Sequence, residues 1–221
     1  MKTLAILPVK ALGAAKQRLA PALGEADRRA LAEAMLADVL SALGRTRCLD
    51  GVLVVTADPA ARAAALAAGA EALEDREQAG QSSAAAAGIA HALESGFGRA
   101  LLVPGDTPLL DPGELDDLLE RSPGRSPAVA IVPDRHGTGT NGLLLAPPDA
   151  IEPSFGPGSF ARHEAAAAAA GLEPMVARPP TLALDVDTGD DLARLEQLLA
   201  ERPGGAPLTR AALRRRAGVA A

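Results

Sequence analysis

VLVVTADPAARAAALAA, residues 52–68, sets the fold class. Val52–Thr56 is a short, continuous apolar run rich in valine, the signature of a buried strand. Asp58-Pro59 then opens a helix through Ala68, with a capping carboxylate followed by a proline at the first helical position. The same alternation extends in both directions. Upstream, Leu4–Pro8 reads as a first strand. Glu25–Leu43 reads as a helix with Leu31, Met35, Val39 and Leu43 on one face, stopped by Gly44. Downstream, Gln81–Leu93 is a helix, and Leu101–Pro104 is a strand running into Gly105-Asp106. Asp111-Pro112 begins a helix to about Glu120. Val129–Val132 and Leu143–Leu145 are strands, Ser159–Ala170 a helix, Leu182–Val186 a late strand and Asp190–Leu199 a closing helix. Strands separated by helices imply βαβ units with right-handed crossovers and a mainly parallel, mixed sheet flanked by helices. The expected class is α/β. Residues 1–201 form one domain, and 202–221 a linker (Arg202–Gly205) with a basic C-terminal tail. Leu208–Arg216 reads as a mobile tail or terminal helix with a solvated face.

Composition narrows the function. The chain has 221 residues, enough for one α/β core, with 48% hydrophobic and 23% charged residues. No apolar run reaches the roughly 18–20 residues that span a bilayer. The N-terminus reads as a buried strand and not a signal peptide. With the single Cys48, a reducing cytoplasm is the expected location. A net charge of −6, with no basic stripe, argues against nucleic-acid partners. Three phenylalanines and no tryptophan or tyrosine leave no aromatic platform for base stacking. Lysine occurs only at 2, 10 and 16, against nineteen arginines, a bias expected of GC-rich codons. Lys10 and Lys16 therefore stand out as positions where a compact ammonium is wanted.

In parallel α/β sheets ligands bind beyond the carboxyl ends of the strands. Lys10, Asp58, Gly105-Asp106-Thr107, Asp134 and Asp185-Val186-Asp187 fall there. In LLVPGDTPLL (101–110), Gly105 turns the chain and Asp106 projects toward the ligand edge, placed for a divalent metal on triphosphate oxygens. The plainer reading is a turn residue. In LALDVDTGDDL (182–192), Asp185 and Asp187 lie two apart on an extended stretch, so both point to one side and repel unless a cation intervenes. Thr188 and Asp190 are candidate helix caps. PVKALGAAKQRLAP (8–21) carries Lys10, Lys16 and Arg18 around Gly13, suited to a triphosphate, although no Walker A pattern is present. Gly137 to Thr140 allow close backbone approach to a ligand. Gly156, Gly158 and Ser159 precede a helix whose N-terminus would attract a second anion, with Ser159 alternatively a simple N-cap. Arg135, His136, Arg162 and His163 are expected on the surface, and His91 is structural.

These motifs, in order, are PVK (8–10), AKQRLAPAL (15–23), MLADVL (35–40), VPGDTPLL (103–110), DRHGTGTN (134–141), FGPGSF (155–160) and ALDVDTGDDL (183–192). Over about residues 1–200 they resemble the CofC/FbiD family. The resemblance implies a compact GT-A-like, Rossmann-like nucleotidyltransferase domain. It implies guanylylation of phosphoenolpyruvate or 2-phospho-L-lactate by GTP, with release of diphosphate, in coenzyme F-420 biosynthesis. It implies Mg2+ held by Asp106, Asp185 and Asp187, with Lys16 and Asp106 catalytic. Lys10, Lys16, Arg18, Gln81 and Gly105 would hold the nucleotide, although QSSAAAAG (81–88) departs from the family's LN-x-A-type pattern there. Thr140, Gly156 and Ser159 would hold the phosphorylated acid, with Thr138 the alternative to Thr140. The next enzyme of the pathway is the expected functional partner. The acceptor phosphate is already ionised at neutral pH, so no general base is needed. Other readings are a molybdopterin or sugar-phosphate nucleotidyltransferase, and a non-catalytic nucleotide-binding module. A phosphatase is disfavoured because no nucleophile motif is present.

Overall fold

Residues 1–14, 16–122, 127–202, 204–216 and 218 are described by the computed structural model. Pro203 of the expected linker, Ala217 and 219–221 of the expected tail, and Ala15 of the loop after the first strand lie outside them.

Strand alternation builds two cores, one on each side of a sheet. In β1 (Thr3–Pro8), Ala5 and Leu7 point to one face, and Leu4 and Ile6 to the other. The pattern repeats in β2 (Gly51–Thr56), β4 (Arg99–Leu102), β5 (Ala128–Pro133) and β6 (Thr140–Ala146). The first face is covered by α1 (Glu25–Leu43), α2 (Pro59–Ala67) and α4 (Pro112–Arg121). The second is covered by α3 (Gln81–Glu94) and α5 (Ser159–Ala169). With β3 (Glu71–Glu74) and β7 (Met175–Val176), seven strands run in the order β3-β2-β1-β4-β6-β5-β7. β6 is antiparallel to both its neighbours, and the other pairs are parallel. This is the expected α/β class with a mainly parallel mixed sheet.

The helix starts follow the sequence signals. Asp58 accepts hydrogen bonds from the Ala60 and Ala61 amides, and Asp111 from those of Gly113 and Glu114, each with proline at the head of the helix. Such caps are worth about 1 kcal/mol each. Gly88 lets α3 lie close on the sheet, since a Cβ there would sit 2.4 Å from Ile6 Cγ2.

The expected strand Leu182–Val186 does not form. Leu182 lies in a turn and Ala183 in a bend, and residues 184–187 join no sheet. Its alternating apolar residues Leu184 and Val186 are buried with Leu192, Leu195 and Leu199 of α6 (Gly189–Glu201) and with Leu31 and Met35 of α1. Packing under a helix produced the same period as a strand. β3, with glutamate at both ends, and β7, only two residues long, give no strand signal and were not expected. Leu208–Arg216 falls in α7 (Pro207–Arg216), which packs on α1; the Asp38 carboxylate accepts hydrogen bonds from the Leu208 and Thr209 amides.

Candidate active site

The carboxyl ends of β1, β2 and β4 open into a cavity of about 710 Å³. That is within the range of small-molecule and cofactor sites, roughly 300–1,000 Å³. Lys10, Lys16 and Arg18 line it from the loop after β1, Gly80 and Gln81 from the start of α3, and Gly105, Asp106 and Asp187 from the far side. Asp58 holds the first loop in place: one carboxylate oxygen caps α2 and the other accepts from the Leu12 amide at 2.8 Å. Its carboxylate is thus used by the protein itself.

Lys16 is the centre of the site. Its ammonium, nearly buried, donates to Asp106 and, at 2.8 Å, to Asp187. Burial alone would discharge it, but the Asp106 and Asp187 carboxylates outweigh that and hold its pKa above the ordinary lysine value. The backbone of Lys16 is left-handed, with φ 60°, a conformation that costs a non-glycine residue about 1–3 kcal/mol. Lys10 and Arg18 are exposed and have no ion-pair partner among the described residues.

Asp185 lies beside this pair and is mostly buried. Burial first, then the charge of Asp106 and to a smaller extent that of Asp187, push its carboxyl up to about 6, against a hydrogen bond from Asn141. Asn141 Nδ2 donates to Asp185 Oδ1 at 3.1 Å and to the Leu182 and Ala183 carbonyls. The Val186 amide donates to the Asp106 carbonyl at 3.1 Å, joining the two aspartate-bearing segments. Asp191, buried in the first turn of α6, accepts from the Asp187 and Thr188 amides and pairs with Arg135 at 2.6 Å. Thr188 caps the helix, in a capping box with Asp191, and Asp190 does not.

The residues fit a divalent cation. Asp106 Oδ1 is buried and has no hydrogen-bond partner among the described residues. Asp185 is charged at neutral pH only against the repulsion of its neighbours. An unmet carboxylate oxygen beside crowded carboxylates is the donor chemistry magnesium takes. As the side chains stand, no group of three His, Cys, Asp or Glu among the described residues is arranged to hold a metal. The Lys16 ammonium sits between two of the carboxylates instead.

A second cluster surrounds the start of α5. Thr140 Oγ lies 3.0 Å from His163 Nδ1, and the Ser154 amide donates to His163 Nε2 at 2.9 Å. Arg162 donates to Ser154 Oγ and to the Ser154 and Phe155 carbonyls, bracing the loop before the helix.

A family model described as "Guanylyl transferase CofC like" matches residues 3–200. The chain belongs to this family. A phosphoenolpyruvate guanylyltransferase of Conexibacter woesei is 55% identical over 96% of either chain. A 2-phospho-L-lactate guanylyltransferase of Methanothermobacter thermautotrophicus is 35% identical, over 88% of this chain and 84% of its own. A solved structure from Desulfovibrio desulfuricans, a putative nucleotide-diphospho-sugar transferase, shares the fold with TM-score 0.77 at 17% identity, covering 99% of this chain and 96% of that one. The CofC-like protein is an enzyme that transfers nucleotides.

Within this member of the family, the structure gathers Lys10, Lys16, Arg18, Gln81, Gly105, Asp106 and Asp187 on one cavity and sets Asp185 next to them. Thr140, Gly156 and Ser159 are not on its walls but belong to the α5 cluster. Ser159 is not the N-cap: Gly158, with φ 74°, takes that position, and Ser159 is the buried first residue of the helix. His163 is fully buried and not a surface residue. Asn141, Asp191 and Asp75, which also lines the cavity, were not singled out from sequence. For Asp191 the spacing Thr188-x-x-Asp191 was a readable capping-box signal.

Proposed function

We propose that the protein transfers GMP from GTP to phosphoenolpyruvate or 2-phospho-L-lactate, in the cytoplasmic biosynthesis of coenzyme F-420. A phosphate oxygen of the acid attacks the α-phosphorus of GTP. The bond from the α-phosphorus to the oxygen bridging to the β-phosphate breaks, and diphosphate leaves. The observation that carries this reading is the arrangement of Lys16 with Asp106 and Asp187 on a cavity also lined by Lys10 and Arg18. The names of the similar proteins, phosphoenolpyruvate and 2-phospho-L-lactate guanylyltransferases, support guanylyl as the group and a phosphorylated three-carbon acid as the acceptor.

Lys10 and Arg18, which have no ion-pair partner among the described residues, meet the β- and γ-phosphates. Lys16 neutralises the α-phosphate as negative charge builds on the leaving diphosphate. Asp106, Asp185 and Asp187 would hold magnesium, which would supply further charge neutralisation. Asp75, an acceptor-only carboxylate at the cavity, complements the N1–H and N2 amino donors of guanine. Thr140, Gly156 and Ser159 hold the acid. The product is a disubstituted diphosphate, whose phosphoanhydride joins GMP to the phosphate of the acid, and this activation suits prompt use by the next enzyme.

Diphosphate release from GTP and Mg2+ is measured with phosphoenolpyruvate, 2-phospho-L-lactate and 3-phosphoglycerate in parallel. Release with either of the first two is expected, and Asp106→Ala should abolish most of it without unfolding the protein. Release with none of the acids by folded protein that binds GTP refutes the acceptor class. Near-normal turnover by Asp106→Ala refutes the site.

A further inference from the structure

The α5 cluster contains a buried histidine that the proposed reaction does not use. His163 is fully buried on α5, with its ring edge-on to Phe155, centroids 5.2 Å apart. Its two ring nitrogens have different partners. Nε2 faces the Ser154 backbone N–H at 2.9 Å, and Nδ1 faces Thr140 Oγ at 3.0 Å. A backbone N–H only donates, so Nε2 must be the bare, accepting nitrogen. The proton of the neutral ring then lies on Nδ1, and Thr140 Oγ is the acceptor. Burial, with Arg162 adding to it, lowers the imidazole pKa to about 4, so the ring is neutral under working conditions.

This fixes the direction of the Thr140 hydroxyl. Its oxygen receives the His163 proton, so its own proton is turned away from the imidazole. The hydroxyl has no other hydrogen-bond partner among the described residues. We propose that His163 is a positioning residue that locks the Thr140 hydroxyl as a hydrogen-bond donor to the anionic acceptor substrate. The inference rests on the proposed function, in which Thr140 meets the phosphorylated acid. It adds the group that decides the polarity of that contact. A threonine free to rotate presents either a lone pair or a proton; one that already accepts from a fixed N–H presents the proton to a carboxylate or phosphate oxygen. The Ser154 amide that sets the tautomer is in the loop whose next residue, Phe155, donates its amide to Ser82 Oγ on α3 at 2.9 Å. The polarity of the acceptor contact is thus set by a loop anchored next to the nucleotide-side helix.

The test is a steady-state comparison, with phosphoenolpyruvate as the acid, of wild type, Thr140→Val, His163→Leu and His163→Asn. Thr140→Val removes the donor and should raise KM for the acid about tenfold or more, as expected for a hydrogen bond to a charged group. His163→Leu should raise the same KM with KM for GTP unchanged. His163→Asn, whose amide nitrogen takes the place of Nδ1, should recover most of it. A Thr140→Val defect without a His163→Leu defect overturns the inference while leaving Thr140 as a ligand. A Thr140→Val enzyme of normal KM refutes the placement of the acid instead. Where variants fail to fold, nitrogen-15 spectra of the wild-type imidazoles decide: the Nδ1–H tautomer at His163 is expected, and Nε2–H overturns the proposal. That reading needs no turnover, so it stands apart from failure of the proposed reaction.

Discussion

Replacing Asp185 by asparagine should stabilise the metal-free protein at neutral pH and leave it unchanged in acid. The Asp185 carboxyl is raised from the ordinary 3.8 to about 6, by burial first and by the negative charges of Asp106 and Asp187. Between those values the folded protein binds more protons than the unfolded chain, so stability falls as pH rises through the window. Above it, the charged carboxylate burdens the fold. A displacement of about two units corresponds to about 3 kcal/mol, at about 1.4 kcal/mol per unit. Asparagine has the same shape, keeps an oxygen for the Asn141 Nδ2 bond, and carries no charge. For a chain of this size about 1 kcal/mol moves Tm by roughly 2–4 °C, so the gain approaches about 6–12 °C.

His163 acts with the opposite sign. Its folded pKa lies near 4, below the ordinary 6.5, so its contribution is present above 6.5 and is lost as pH falls toward 4. The acid profile of the wild type therefore mixes two slopes, and only the difference between Asp185→Asn and wild type isolates Asp185. Thermal unfolding is followed by circular dichroism in EDTA from pH 4 to 8. The difference should be largest above pH 6 and vanish near pH 4, while the variant loses turnover. A difference independent of pH, or a variant less stable than wild type at pH 7, would refute the electrostatic account of the site.

Three further outcomes are expected. Lys16→Met should lower turnover about 10²–10³-fold, as for loss of a charge-stabilising donor; without nucleotide it should bind Mn2+ more tightly by electron paramagnetic resonance, because the ammonium no longer competes for Asp106 and Asp187. Weaker Mn2+ binding would count against the metal assignment. Asn141→Leu should cost about 1–3 kcal/mol in urea unfolding, since the carbonyls of Leu182 and Ala183 lose their buried donor; unchanged stability would show that the 182–187 segment is held by packing alone. Asp75→Asn should narrow the preference for GTP over ITP in kcat/KM, because ITP lacks the N2 amino group that the carboxylate would accept from. An unaltered ratio removes Asp75 from base reading.

The fold was legible where the signals are local. The span of α1, the Asp-Pro starts of α2 and α4 and the central strands all depend on residues within one turn or one pleat. So were the charged residues of the cavity, because a parallel sheet sends every strand-end loop to the same edge. Partners distant in sequence were not legible. Nothing near Lys16 shows that it will meet Asp106 and Asp187, 90 and 171 residues away. Nothing near Asp38 shows that it will cap a helix beginning 169 residues later, at Pro207. The apolar alternation of 182–186 is ambiguous in itself: period two fits a strand, and it fits equally a segment outside the sheet whose Leu184 and Val186 pack against α6.

The end of β6 shows why such ambiguity falls at the site. Val132 pairs with Gly142, but Pro133 pairs with Thr140, so Asn141 is the extra residue of a β-bulge. Along the regular part of the strand, Leu143 and Leu145 face α3 and α5, and Leu144 faces the other layer. Strict alternation would send Thr140 to the side of Leu144. The bulge shifts the phase by one, so Thr140 turns to His163 on α5, while Asn141 reaches the carbonyls of 182–183 and Asp185. Two adjacent residues thereby serve two different parts of the molecule, Thr140 the α5 cluster proposed for the acid and Asn141 the segment that carries Asp185. Removing the bulge would leave the buried sheet intact and uncouple both.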